Sequence, residues 1–305
     1  MSKESYVNSG TVSAGNSIYT VHVQDNPLLG IGLYTATTGP SHPIGPGRNI
    51  LFGNGNPGTS YNTIRSYTSG TDYIQSNTSP SSTFNLVHLT GFGTITPIGT
   101  TGFLTTYVLP GPPVTPDKLT ILSSVNVGGT TFADSSIGVS TWVMNSGTDT
   151  IRIGIRYLWD FLIGSDDGPT FQGIDPNSGV FVNEVQFFIP RFQSFRMEDN
   201  DINPNPPTYD GIGSVNGPTQ IVPPPLIPLL LQYVSWPNAF NTAFNYTINP
   251  NLNIADAGRG PNDSAVNYTF GPDIESSILI LPGSGRGVSE TLKASLPIAS
   301  RGIAF

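Results

Sequence analysis

The feature that most limits what this chain can fold into is its punctuation. The 35 glycines and 28 prolines make up about a fifth of 305 residues, and few stretches of twelve residues escape a Gly, Pro or Asn. In a helix interior glycine costs about 1 kcal/mol and proline about 3 kcal/mol relative to alanine. Apolar residues also rarely recur at i, i+3, i+4 and i+7, so helices are nearly excluded. Between the turns lie short segments rich in Val, Ile, Thr, Tyr and Phe, the residues of half-buried antiparallel strands.

The strands expected on this basis are 17–24, 31–37, 83–90, 101–108, 118–127, 136–145, 150–161, 180–189, 244–248, 264–270 and 276–281. Their near-regular spacing points to an all-β chain built as a large antiparallel β-sandwich with long Gly/Pro-rich loops. Alternation is clearest in Val139-Ser140-Thr141-Trp142-Val143 and Ile151-Arg152-Ile153-Gly154-Ile155. With Asn145-Ser146-Gly147-Thr148-Asp149 between them, residues 136–161 read as a hairpin with Val and Ile faces inward. Long loops are expected at 39–61, 110–116, 197–225 and 249–262. Residues 1–16 read as a flexible or exchanged segment, and 17–305 as a single large sandwich domain.

Charge and cysteine usage exclude several functions. Charged residues are 10% of the chain, against about 25% in ordinary soluble domains. The net charge of -8 and the presence of only Lys3, Lys118 and Lys293 exclude a phosphate-binding surface for nucleic acid. With no cysteine there is no disulfide, thiolate metal site or cysteine nucleophile; this is common in surface proteins of Gram-positive bacteria. Met1-Ser2-Lys3-Glu4-Ser5 lacks a basic region leading into an apolar one, and the aliphatic run 226–231 is broken by Pro228 and too short to span a bilayer.

Candidate chemistry is sparse. His22, His42 and His88 each stand alone, and His22 and His88 alternate with apolar residues as hydrogen-bonded or solvent-facing strand positions do. There is no Gly-x-Ser-x-Gly elbow, and Gly53-Asn54-Gly55-Asn56-Pro57-Gly58 lacks the Lys-Ser/Thr pair of a phosphate loop. Asp166 and Asp167 with Asp175, and Asp199 with Asp201, could supply part of a calcium ligand set. Tyr34, Tyr61, Tyr67, Tyr73 and Trp236 lie in or near loop-rich regions where sugar rings could stack; Tyr61, Tyr67 and Trp236 are the candidate ligand-binding residues.

The densest cluster of charge among aromatics is Gly154-Ile155-Arg156, then Trp159-Asp160, then Ile163-Gly164-Ser165-Asp166-Asp167-Gly168-Pro169-Thr170-Phe171. This order resembles a pattern in uncharacterised bacterial proteins of the galactose-mutarotase-like β supersandwich. It continues through Ile189-Pro190, Ser235-Trp236, Phe244-Asn245-Tyr246 and Asp263-Ser264-Ala265-Val266, covering roughly residues 85–300. Mutarotase enzymes use paired histidines and a glutamate, and no positions here match them, so the resemblance implies the architecture without that activity. Arg156 and Asp160 are four apart, about 13 Å along one face of a strand, too far to touch. Each is expected to pair across strands or anchor the loop at 166–171 as part of a structural charge network. The other reading has Arg156 lining a sheet face and meeting a ligand.

The function expected from these features is a noncatalytic structural or surface protein, a subunit or domain of an extracellular or spore-surface assembly of a Gram-positive bacterium. Its partners would be copies of itself or other surface proteins. A carbohydrate-binding module is the alternative, and a viral capsid or fibre protein the second.

Overall fold

A computed structural model describes residues 10–164, 166–174, 179–199, 209–215, 226–255 and 262–296. Thr11–Gly15 (β1), Tyr19–Gln24 (β2) and Tyr34–Thr38 (β3) form a three-stranded antiparallel sheet. Tyr61–Ser66 (β4), Thr71–Ile74 (β5) and Asn85–His88 (β6) follow, then Gly93–Ile98 (β7), Gly102–Val108 (β8), Leu119–Gly128 (β9) and Ser136–Asn145 (β10). Next come Ile151–Asp160 (β11), Thr170–Gly173 (β12), Val180–Phe181 (β13), Val185–Phe188 (β14), Ser194–Glu198 (β15) and Asp210–Ser214 (β16). Leu230–Ser235 (β17) runs into a short helix, Trp236–Phe240 (α1), and is followed by Ser264–Phe270 (β18), Ile278–Ile280 (β19) and Gly285–Ser295 (β20). No helix among the described residues is long and apolar enough to cross a membrane.

Two large sheets make the sandwich. One has nine strands in the order β13-β12-β15-β16-β20-β10-β9-β8-β7. The other has eight, β14-β17-β18-β11-β4-β5-β6 with β19 paired to β11. Its β5–β6 pair is parallel; the other paired strands run antiparallel. Strict alternation builds the core between them. Leu119, Ile121, Val125 and Val127 of β9 and Ile137, Val139 and Val143 of β10 face Ile153, Ile155, Tyr157 and Trp159 of β11, all buried.

The all-β sandwich stands as the sequence implies, but several pairings differ. β10 and β11 are no hairpin: β10 pairs with β9 and β20, whereas β11 pairs with β4 and β18 in the opposite sheet. The connection arches over the core edge, where Asn145 Nδ2 donates to the Asp149 and Ile280 carbonyls at 2.7 and 3.1 Å and its Oδ1 accepts from Gly147 N. Both strands do bury their Val and Ile residues, yet those residues face each other across the core instead of lying side by side.

Segment 180–189 likewise splits into β13 and β14, one in each sheet. Buried Glu184 holds the corner, accepting from Ser235 N at 2.8 Å, Tyr246 OH at 2.5 Å and Asn249 N at 2.6 Å. Segment 244–248 is irregular and forms no strand. Within 197–225, expected as loop, β16 pairs with β15 and β20. Its core-facing Gly213 leaves room for the Phe195 ring, which a Cβ there would strike. Of residues 1–16, 1–9 lie outside the described residues, and β1 is paired within the chain to β2.

Candidate functional site

The outward face of the nine-stranded sheet carries a cavity of about 480 Å³. Its floor comes from four neighbouring strands: Ser194 of β15, Ser214 and Ile212 of β16, Thr291 and Lys293 of β20, and Ser136 of β10. Register sets Ser194 opposite Ser214, Ile212 opposite Lys293, and Thr291 opposite Gly138. These positions are out of phase with the core-facing residues of the same strands, so they point away from the sandwich interior and are partly exposed. Ile174 and the turn Ala133, Asp134 and Ser135 wall the sides.

Three of the lining residues are committed to the framework: buried Ser135 accepts at Oγ from Asn16 Nδ2 at 3.1 Å. Ser214 Oγ donates to Glu290 Oε2 and accepts from Thr291 N, both at 2.7 Å. Asp134 Oδ1 accepts from the Thr131 hydroxyl at 2.6 Å and from the Thr131 and Thr130 amides at 2.7 and 3.1 Å. The Thr131 hydroxyl and these amides hold the Asp134 carboxyl below its ordinary range, so near neutral pH it is an ionised acceptor. The hydroxyls of Ser136, Ser194 and Thr291 make no hydrogen bond, and Lys293 no ion pair, among the described residues. They are available to a ligand, with Ile174 and Ile212 offering apolar contact beside them.

The ligand-binding aromatics read from the sequence lie elsewhere. Tyr61 and Trp236 are core residues of a second apolar cluster that covers the outer face of the eight-stranded sheet. Tyr61 meets Phe240 edge-on at 5.7 Å, and Trp236 packs on Phe240 at 4.6 Å. Tyr67 is wedged edge-on against Phe84 and Phe244, its hydroxyl on the Gly271 carbonyl at 2.8 Å. Tyr61 and Trp236, 1% and 6% exposed, present no ring face to a sugar, whereas Tyr67 is partly exposed. Loop position alone suggested exposure, whereas α1 and segment 241–255 fold back over this sheet.

Arg156 sits under that cover, 1% exposed. Its Nε donates to Asn267 Oδ1 at 3.0 Å, Nη2 to the Ala239 carbonyl at 2.8 Å, and Nη1 to the Thr242 carbonyl. It therefore secures the end of α1 through carbonyl and amide oxygens. Buried Asp160 does not share this network; its carboxylate lies with those of Asp167 and Asp263, with oxygens within 4.8 Å of one another. A bidentate ion pair in this sheet joins Arg65 and Asp72, 2.7 Å at both contacts, with the guanidinium over the rings of Phe84 and Phe244. Sequence reading missed it because the partners sit on different strands in register, seven residues apart in sequence.

Of the calcium candidates, Asp175 and Asp201 lie outside the described residues. Asp167 joins Asp160 and Asp263, whereas Asp166 turns back to accept from Gly168 N at 2.9 Å. Asp199 is buried on the β15 side. The Asp160, Asp167 and Asp263 oxygens have the spacing a cation could bridge, but a carboxylate cluster by itself is no metal site. The histidines serve structure: His22 bonds Ser13 and Thr37 at 2.8 and 3.0 Å, His88 the Ser76 carbonyl at 2.8 Å, and His42 lies between the rings of Tyr19 and Phe132.

No protein-family model matches the chain and no curated relative matches it. Solved structures do. The Slr1438 protein from Synechocystis sp. PCC 6803 superposes with a TM-score of 0.52 at 11% identity, over 97% of this chain and 100% of that one. A galactose mutarotase-like protein from Lactobacillus casei ATCC 334 superposes with a TM-score of 0.50 at 9% identity, over 93% of this chain and 100% of that one. The fold is the galactose-mutarotase-like supersandwich. That likeness corrects the expectation of a noncatalytic subunit of a surface assembly: the fold shared over nearly the whole chain is that of a galactose mutarotase-like protein. At such identities the fold carries over and the chemistry does not.

Proposed function

We propose that the protein binds a carbohydrate in the cavity on the nine-stranded sheet and does not interconvert it. One observation carries this reading: an open cavity of about 480 Å³, within the size range of small-molecule sites, whose floor offers hydroxyls, one ammonium and apolar side chains in adjacent rows. A sugar presents the complement, hydroxyls around its edge and C–H groups on its faces. The mutarotase-like neighbour from Lactobacillus casei supports aldohexoses, galactose first, as the class to try.

Interconverting anomers requires a proton delivered to the ring oxygen and one taken from the anomeric hydroxyl, by groups titrating near the working pH. No histidine lines the cavity among the described residues, and the lining carboxylate, Asp134, is held ionised. The lowered pKa makes Asp134 a weak base, which supports binding without turnover.

Titration calorimetry with galactose, glucose and mannose tests both halves. Binding of at least one sugar, weakened about tenfold or more in Lys293→Met and Thr291→Val, is expected, as for loss of a ligand hydrogen bond worth roughly 1.4 kcal/mol. Polarimetry of fresh α-galactose should show no acceleration. Absence of heat with all three sugars would sink the binding reading, and acceleration lost in Lys293→Met would sink the claim of no turnover.

A further inference from the structure

We infer that the site continues along β10 from the cavity to Trp142, so that its ligand is a chain of sugars and not a single ring. This rests on the carbohydrate reading of the cavity. Trp142 is out of phase with the buried Val139, Thr141 and Val143 of β10 and lies partly exposed on the outward face. Its indole lies across β20, the pyrrole nitrogen over Gly285 and the six-membered ring over Gly287, the register partner of Trp142. A Cβ at either glycine would run into the ring. One indole face is thus set on bare backbone, and the ring is held flat to the sheet with its other face outward.

This placement needs an explanation. A tryptophan on the polar side of a strand forgoes part of the burial that makes the residue stabilising, and both glycines weaken the strand they occupy. The two other tryptophans, Trp159 and Trp236, are 0% and 6% exposed. A flat aromatic platform with one open face is the partner that the C–H face of a pyranose ring takes. The residues leading to it suit the same ligand. From Ser136 at the cavity, the outward positions of β10 are Gly138, Ser140 and Trp142, each partly exposed. Ser140 is bonded to Ser124 of β9 at 2.6 Å, and Ser289 of β20 stands opposite it, so hydroxyls border the path on both sides, that of Ser289 buried.

Register sets the length of the ligand. Thr291 of the cavity floor stands opposite Gly138, four residues before Trp142, which is about 13 Å along a strand. One pyranose ring cannot touch both places, and a short oligosaccharide can. Two contact areas on one rigid sheet add their binding energies without a second cost of association.

The experiment compares galactose, glucose and mannose with the β-1,4-linked tetrasaccharide of each, in the wild type, Trp142→Ala, Trp142→Phe and Lys293→Met. At least one tetrasaccharide should bind about tenfold or more tightly than its own monosaccharide. Trp142→Ala should return it to the monosaccharide level, while Trp142→Phe keeps part of the gain. Its binding should also shift the tryptophan emission of the wild type, since the other two indoles are buried, and not that of Trp142→Phe. Equal affinity of tetrasaccharide and monosaccharide, or an unchanged ratio in Trp142→Ala, overturns the extended site and leaves the cavity reading intact if Lys293→Met still weakens the monosaccharide. If no sugar of either length binds, the cavity reading fails and the extension falls with it. Should Trp142→Ala not fold, Trp142→Phe and the emission of the wild type decide: no emission change at saturating tetrasaccharide overturns the proposal.

Discussion

Trp159 Nε1 donates to the hydroxyl of Tyr34 at 2.7 Å, and through that one bond β3 of the small sheet is tied to β11 at the centre of the sandwich. Tyr34 in turn donates to Asn62 Oδ1 at 2.9 Å, and Asn62 Nδ2 donates to Ser123 and Thr141 of the nine-stranded sheet at 3.2 and 3.0 Å. The chain joins all three sheets, and Tyr34, Asn62 and Trp159 are fully buried. Replacing Tyr34 by Phe keeps the ring but leaves the indole N–H and the amide oxygen without a partner. Each such group costs about 1 to 3 kcal/mol, so urea unfolding should show a loss of about 2 to 4 kcal/mol. A loss below about 0.5 kcal/mol would mean the network is dispensable.

Arg156 holds the cover of the eight-stranded sheet, far from the cavity on the other sheet. Arg156→Met strands two carbonyls and an amide oxygen and should lower stability by about 2 to 4 kcal/mol while leaving sugar affinity unchanged. Arg156→Lys should recover only part, because an ammonium cannot span the three acceptors that the guanidinium fork reaches. Calorimetry on the refolded variants checks this. A variant of wild-type stability with no sugar binding would move the site to the opposite sheet.

Tyr233 is stacked on Phe171 at 4.4 Å with Phe187 and Phe195 around it, and its buried hydroxyl has no hydrogen-bond partner among the described residues. A phenol desolvated without compensation weakens the core it sits in. Thermal unfolding of Tyr233→Phe should match or exceed the wild type, by up to about 1 kcal/mol. Destabilisation by more than that amount would show that the hydroxyl has a partner.

Burial pushes the pKa of His22 from 6.5 down to about 4. The folded state therefore favours the neutral ring. Above pH 6.5 both states are neutral and the stabilisation is fully present; as pH falls toward 4 the unfolded chain binds the proton first and the contribution is lost. At 1.36 kcal/mol per unit, discounted for the partial exposure of the ring, about 2 to 3 kcal/mol should disappear across this window. His42, also lowered by burial, adds in the same direction. Melting curves of His22→Asn from pH 7 to 4 should be flatter than the wild type by the His22 share. Parallel curves would rule out the shift.

Legibility followed the residues at core-facing positions. Segments 118–127 and 136–145 could be read because Leu119, Ile121, Val125, Ile137, Val139 and Val143 alternate with small polar residues. β16 and β20 could not be read in the same way: Gly211 and Gly213 face inward on β16, and Gly285 and Gly287 lie beneath Trp142 on β20. There a neighbouring strand supplies the bulk, and a single strand's pattern has nothing to show. β4 was hidden for another reason: it is buried on both faces, and its Asn62 and Arg65 are satisfied by partners that only folding brings near. Trp142 did leave a signal, a tryptophan on the polar phase of an amphipathic strand.

From the amino-acid sequence alone came the absence of long helices, the all-β class, the sandwich and its supersandwich likeness. Glycine, proline and β-branched residues act on backbone conformation locally, and local preferences are written in order along the chain. Only the tertiary structure decided which strands are neighbours, that Tyr61 and Trp236 belong to a core, and that Ser136, Ser194, Thr291 and Lys293 share one cavity. Those facts depend on register between strands distant in sequence, and alternation records which face of a strand is buried without recording what lies beside it.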